Sequence, residues 1–267
     1  MAELTPMKMQ YQQIKSQYSD CLLFFRLGDF YEMFDEDARV ASRELDLALT
    51  TRDRSVADPE QRTPMCGVPY HSCQTYIARL IAKGYKVAIC EQMEDPALAK
   101  GLVKRDIIRI VTPGSVTESS MLVESKNNYY ACVYGAAGTY GLCFCDVSTG
   151  AFSATQISGA DAMQDVQNEL GSFLPSEALL GGTAAEDETL ADLLRERFHT
   201  CVNLGKDAQF DPALCEAAVT AQFGKSTQEL GLTELPRVTL AAGALLLTLR
   251  DLQKNDLPHI RELELYV

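Results

Sequence analysis

The sequence predicts an α/β (α+β) chain in two parts: a mixed-sheet unit, then a strand meander followed by strand–helix alternation. Three observations predict it. Apolar runs of strand length alternate with helical periodicity up to about residue 115. Beyond a polar stretch at 117–128, three strand-like segments follow one another with Gly-containing turns between them. Hydrophobic residues are 46 % and charged residues 23 % of a 267-residue chain, globular values in a length that holds one large domain or two ordinary ones.

The elements follow in order. Thr5-Pro6 starts a helix, with Pro at a tolerated first position, running to about Tyr18. "CLLFFRL" is a buried strand. Asp29 suits an N-cap, with Glu32 three residues on as a variant capping box. That places a helix from Asp29 to about Leu45 on a stripe of Phe34, Ala38, Ala41 and Leu45. "LALTT" reads as a strand and "RDRSVADPEQ" as a polar loop. "PMCGVPYH" is extended, its prolines suiting an edge. Ser72 is the expected N-cap of a helix ending before Gly84. "KVAICEQ" and "RDIIRIVTPG" are strands around the loop "MEDPALAKGLVK".

In the second half, "YYACVYGA", "YGLCFCDVSTG" and "AFSATQISG" form an antiparallel meander. "DAMQDVQNELGSF" (helix), "EALLGG" (strand), "ETLADLLRERF" (helix) and "TCVNL" (strand) come next, then two or three helices. This order resembles the ribonuclease H-like arrangement, an analogy of fold that carries no activity with it. The tail "VTLAAGALLLTLRDLQKNDLPHIRELELYV" reads as helical to its end without a cap, as in the N-terminal piece of a longer protein. The expected domains are 1–116, a linker at 117–127, 128–250, and a truncated further domain from 251 to 267.

Charge and cysteine usage bound the function. Residues 1–120 carry 15 Lys and Arg against 17 Asp and Glu, a net of −2, while residues 121–267 carry 9 against 20, a net of −11. A polyanionic partner would therefore be met by the first half and repelled by the second. The nine cysteines have no paired C-x-x-C spacing, so buried reduced thiols are expected, with no metal and no disulfide. No apolar run reaches the roughly 20 residues of a membrane helix, and the N-terminus lacks a signal pattern. A cytoplasmic chain with no membrane partner is expected.

The stretch "RLGDFYEMFDEDA" allows two readings. One is the start of an amphipathic helix, with Phe30 four residues before Phe34 at the top of the core face. The other is a protruding Phe that wedges between base steps in a minor groove, with a nearby Glu hydrogen-bonding an exposed base edge. Two other motifs fail on spacing or company. "FGKST" lacks the Gly that a phosphate loop needs five residues before Gly224, since position 219 is Val. Asp146 in "CFCDVSTG" stands where a ribonuclease H-like nuclease places its first carboxylate. The neighbouring strands are nearly free of acids, whereas two-metal hydrolysis needs several. Asp146 is expected to cap the turn at Ser148-Thr149-Gly150. The nuclease reading through Asp146 is the alternative to a binding protein.

"FFRLGDFYEMF", "LTTRD", "PMCGVPYHS", "AICEQMEDP" and "VKRDIIRIVTPGS" occur in order within roughly a hundred residues, and together they resemble the mismatch-recognition domain of the MutS family of DNA mismatch-repair proteins. The later segments, through "TLRDLQKNDLPHI", resemble the family's ribonuclease H-like connector domain and the entry to its lever helices. The resemblance implies that Phe30 inserts beside a mispaired or unpaired base from the minor groove of kinked DNA, that Glu32 hydrogen-bonds that base, and that Tyr31 faces the interior. It implies backbone contacts by Arg52, Lys104 and Arg105, with Arg109, Lys100, Tyr70 and His71 as further candidates. Arg105 and Arg109 are four apart, which in a strand puts them on one face, with Ile107 between them on the same side. The helix near Ser72 would offer N–H groups to a phosphate. His71 has no second ligand at metal-binding spacing. The resemblance also implies a homodimer, MutL as partner, ATP and Mg²⁺ in domains outside these residues, no enzyme activity or cofactor within them, and a nucleoid-associated protein of the bacterial cytoplasm.

Overall fold

The computed structural model describes residues 5–53, 56–58, 61–123 and 126–267. The chain divides into a compact unit ending at Thr112 and another beginning at Pro113. Among the described residues no helix is long and apolar enough to cross a membrane.

The first unit opens with helix α1 (Pro6–Gln17), whose N-cap Thr5 accepts a hydrogen bond from Lys8 N. Strands β1 (Leu22–Leu27) and β2 (Phe30–Phe34) follow, then α2 (Asp35–Leu45), β3 (Thr50–Thr51), β4 (Pro64–Pro69), α3 (Cys73–Ala82), β5 (Val87–Gln92) and β6 (Arg105–Val111). The strands form one mixed sheet in the order β3-β4-β2-β1-β5-β6, with β1 and β5 the parallel pair. Phe24, Phe25, Met33, Val68 and Cys90 are fully buried in it. Tyr11 of α1 packs edge-on against Phe25 and Phe34, with ring centroids 5.3 and 4.9 Å apart. Such aromatic pairs add stabilisation beyond their buried area.

The main departure from expectation lies here. Residues 30–34 are a strand, not the first turns of a helix, so Asp29 is no N-cap and Glu32 closes no capping box. Gly28 and Asp29 are instead the two-residue turn of a hairpin, with Leu27 paired to Phe30. Gly28 has φ +59°, and Gly at the first central position suits the turns that match strand twist. The helix starts only at Asp35. Ser72 holds the N-cap position of α3, but its side chain makes no capping bond and a 3₁₀ turn at Tyr70–Ser72 precedes it. "LALTT" contributes only the two residues of β3. The loop "RDRSVADPEQ" falls partly outside the described residues, as does the expected linker at 117–127.

The second unit contains β7 (Tyr129–Ala136), β8 (Thr139–Asp146), β9 (Ala151–Ser158), α4 (Ala162–Phe173), β10 (Glu177–Gly182), α5 (Thr183–Glu186), α6 (Glu188–Asp192), β11 (Cys201–Leu204), α7 (Pro212–Phe223), α8 (Pro236–Gln253) and β12 (Glu264–Leu265). The helix expected over 188–198 is α6 running into a π-turn at Leu193–Arg197. The sheet order is β11-β10-β7-β8-β9-β12. β7, β8 and β9 pair antiparallel, and β10 and β11 add in parallel beside β7. A meander extended by two parallel strands at its first strand is the ribonuclease H-like order. Alternate residues bury on opposite faces. Cys132, Cys143 and Cys145 meet α7 and α8, while Ala131, Val133, Leu142 and Phe144 meet α4, α5 and α6. Gly243 lets α8 approach α7: a Cβ there would lie 2.3 Å from Cys215 Cα.

The tail is not helical to its end. α8 stops at Gln253, where Lys254 turns left-handed at φ 53°, and Pro258 follows. Leu257 and Ile260 bury into the core of the second unit, and β12 pairs with β9. All nine cysteines are free, and eight are buried. Burial pushes the thiols of Cys66 and Cys90 up, to about 11 and about 12. That is the behaviour of inert core thiols.

Candidate nucleic-acid interface

The hairpin sorts its residues by face. Register pairs Phe30 with Leu27 and Pro69, and Glu32 with Phe25 and Gly67, so Phe30 and Glu32 share one side of the sheet. Phe30, at the turn, is 46 % exposed, whereas Tyr31 on the other side is 5 % exposed and faces the interior. An exposed Phe beside a buried Tyr is the reverse of what transfer free energy alone would choose.

Glu32 is nearly buried at 9 % exposure. Its Oε1 accepts from Arg52 at 2.9 Å, and its Oε2 is buried with no hydrogen-bond partner. Such a group is costly unless something else supplies a donor. Gly67, opposite Glu32 across the strand pair, leaves the space the carboxylate uses. A Cβ there would lie 3.1 Å from Tyr31 O and 3.4 Å from Glu32 Cγ. Sequence reading missed Gly67, although "CGVP" inside an extended run was the available signal.

The basic candidates separate. Arg52 lies beside Glu32 with its side chain about half exposed. Lys104 is exposed, its backbone N held by Glu94 at 2.7 Å. Arg105 lies on the Phe30 side, over the Phe25 ring at 4.8 Å, but its guanidinium is engaged within the protein. It donates to Arg26 O at 2.7 Å, to Gln10 Oε1 at 2.9 Å and to Val103 O at 3.1 Å. Burial, and then the nearby Arg52 charge, lower its pKa. Arg109 does not share that face. Ile89 pairs with Arg109 and Cys90 with Ile107, so β6 fits an extra residue, Ile108, into one step of β5. Neighbours on β5 point to opposite faces, so Arg109 lies on the Tyr31 side. Tyr70 and His71, both exposed, follow β4 next to the hairpin turn, where Tyr70 N donates to Asp29 O at 2.9 Å.

The side behind Phe30 is tightly bonded. Arg26 donates from Nε to Gly28 O and from its guanidinium to Glu91 Oε1 and Oε2 at 3.2 and 3.4 Å. Its guanidinium carbon is 3.6 Å from the centre of the Tyr70 ring. The Tyr31 hydroxyl donates to Glu91. Burial, and then that bond, raise the Tyr31 pKa.

The two motifs set aside on sequence grounds have structural roles. Asp146 Oδ1 accepts from Ser148 N, Ser148 Oγ and Thr149 N, and Oδ2 accepts from Asn128 N. It is a turn cap. In "FGKST", Gly224 is the left-handed C-cap that ends α7, and Ser226 bonds to Glu229. A phosphate loop would instead open a helix. Among the described residues no group of three or more His, Cys, Asp or Glu is placed to hold a metal ion.

The sequence profile of MutS domain I matches residues 5–120, and that of MutS domain II matches residues 128–261. The chain belongs to the MutS family. It is 49 % identical over 266 residues to the DNA mismatch repair protein MutS of Acetivibrio thermocellus and 47 % identical over 266 residues to that of Ruminiclostridium cellulolyticum, covering 100 % of this chain each time. Identity to MutS of Caldanaerobacter subterraneus is 44 % over 263 residues, 98 % of the chain. The chain spans about 30 % of the length of these MutS relatives. MutS domain I is the mismatch-recognition domain and domain II the connector domain. The hairpin and its neighbours thus lie in MutS domain I, and the meander with α7 and α8 lies in MutS domain II.

Proposed function

We propose that these residues read mispaired or unpaired bases in double-stranded DNA, with Phe30 as the wedge and Glu32 as the base contact. One observation carries the reading: an exposed Phe30 at a hairpin tip, on the same face as a Glu32 carboxylate with one oxygen unpartnered. A wedge from the minor groove unstacks one step and kinks the duplex. A mispaired step yields at lower energy than a matched one, so recognition works through deformability. Backbone contacts supply most of the affinity, from Arg52 beside Glu32, Tyr70 and His71 next to the hairpin turn, and the exposed Lys104 just before β6. The connector domain links recognition to the clamp and ATPase domains of a homodimeric, ATP- and Mg²⁺-dependent protein and to MutL, in the bacterial cytoplasm at the nucleoid.

The test is a titration of the full chain with mismatched and matched duplexes at low salt, for wild type and Phe30→Ala. Discrimination in the wild type and its loss in Phe30→Ala is the expected result. Equal discrimination by both proteins would sink the reading.

A further inference from the structure

We infer that Arg26 is a positioning residue for Phe30, bracing the hairpin from the face opposite the wedge. The inference rests on the wedge reading above. A side chain that forces a base step apart meets a restoring force worth a few kcal/mol. A two-residue turn containing Gly28 would yield to that force unless something stiffened it. Arg26 joins the turn to two neighbouring elements from the Tyr31 side, while Gln92 holds Gly28 N and Arg105 by longer bonds of 3.3 and 3.5 Å. Its Nε holds Gly28 O inside the turn. Its guanidinium pairs with Glu91 of β5 at 3.2 Å and stacks on Tyr70, 3.6 Å from the ring centre. Tyr70 N in turn bonds Asp29 O, the other turn residue, at 2.9 Å. Glu91 also accepts from the Tyr31 hydroxyl, so both strands of the hairpin end on one carboxylate. The Arg26 side chain is only 16 % exposed, which limits screening of this web.

Only a planar fork makes these contacts at once. Lysine has one nitrogen and no flat face to lay on Tyr70. Arg26→Lys keeps the charge on a slightly shorter chain and removes the brace. Phe30 itself is untouched, so the loss falls on the wedge's stiffness.

The experiment places 2-aminopurine beside a G·T mismatch and measures its fluorescence with the mismatch-to-match affinity ratio, in the full chain. Wild type unstacks the base and brightens the probe. Arg26→Lys is expected to lower the ratio about tenfold, the lower end of losing one base stack, with a dimmer probe. The salt slope for matched duplex stays as in wild type, because lysine keeps the charge and no cationic phosphate contact is lost. Glu91→Gln, which removes the charge that orients Arg26, is expected to move both readouts the same way by less. Wild-type ratio and brightness in either folded variant would overturn the inference. Phe30→Ala serves as the control: if it discriminates as well as wild type, the wedge reading fails, whatever Arg26 does.

Discussion

The Glu32 carboxylate pairs with the Arg52 guanidinium at 2.9 Å through one oxygen only, and its second oxygen is buried without a partner. The two residues are therefore unequal in stability. Removing Glu32 deletes an imperfectly satisfied acid, so Glu32→Ala should change stability by less than about 1 kcal/mol. Removing Arg52 strands that acid. Arg52→Ala should cost about 1 kcal/mol, limited by the half-exposed position of Arg52. Thermal melts of the two variants check the order; a lower melting temperature for Glu32→Ala than for Arg52→Ala would contradict it.

Phe30→Ala should leave the fold nearly untouched and lower mismatch discrimination. Its ring is 46 % exposed, whereas Met33 three residues on is fully buried. Met33→Ala is expected to cost about 2–5 kcal/mol. Phe30→Ala should cost well under that and lose about one to two decades in the mismatch-to-match ratio, the worth of one base stack. Melting temperature and G·T binding, measured on both variants, separate the two effects.

Lys104→Ala and Arg105→Ala should behave differently despite adjacency. Lys104 is exposed, and its loss should flatten the plot of log K against log salt by about one unit with no stability change. Arg105 ties together Arg26 O, Gln10 and Val103, and its loss should lower stability by about 1–3 kcal/mol. If Arg105→Ala melted like wild type and flattened the salt slope, it would be a phosphate contact after all.

Gly67→Ala should lower discrimination although Gly67 is not itself a proposed DNA contact. The added Cβ at 3.1 Å from Tyr31 O and 3.4 Å from Glu32 Cγ pushes on the strand and the carboxylate. Overpacking of this kind costs about 1–3 kcal/mol. A melt beside a mismatch titration tests it; wild-type values in both would mean the strand gives way freely.

The second unit should fold by itself and ignore nucleotide. It has its own sheet with a hydrophobic cluster on each face, and "FGKST" closes a helix where a phosphate loop would open one. A chain of residues 113–267, the whole of the second unit, should give a cooperative melt by circular dichroism that Mg-ATP does not shift. A broad melt, or a shift with Mg-ATP, would count against it.

Most of the fold was legible because strands such as 129–136 and 177–182 are apolar runs bounded by turn residues. The hairpin was not. A strand at 30–34 should alternate, yet Phe30 is exposed while Glu32, Met33 and Phe34 are buried. The apolar residue that faces water and the acid that is buried hide the period of two. The next helix supplies a period of 3.6 that extends backwards onto them. Local rules failed at the residues proposed to touch DNA, where binding and folding ask for different side chains. The tail misled for another reason: α8 is so strongly helical that the pattern runs past Lys254, and a left-handed backbone at Lys leaves no mark in composition. The Phe30 and Glu32 assignments came from motif resemblance; Gly67 left only the "CGVP" signal, and the role inferred for Arg26 became visible only through its side-chain contacts.

The bulge in β6 has a consequence for how this surface could change. Arg109 and Arg105 are separated by face because Ile108 is one residue too many for β5 to match. Deleting that residue would restore strict alternation and leave both arginines on the faces they now hold, because residues three apart in an unbroken strand lie on opposite sides. Pairing the same residues without the bulge would instead bring both to one face with no substitution at either arginine. Which side of the sheet carries a given charge is set here by how β5 and β6 pair, so a slip of register would redraw the charge on both faces with the sequence unchanged.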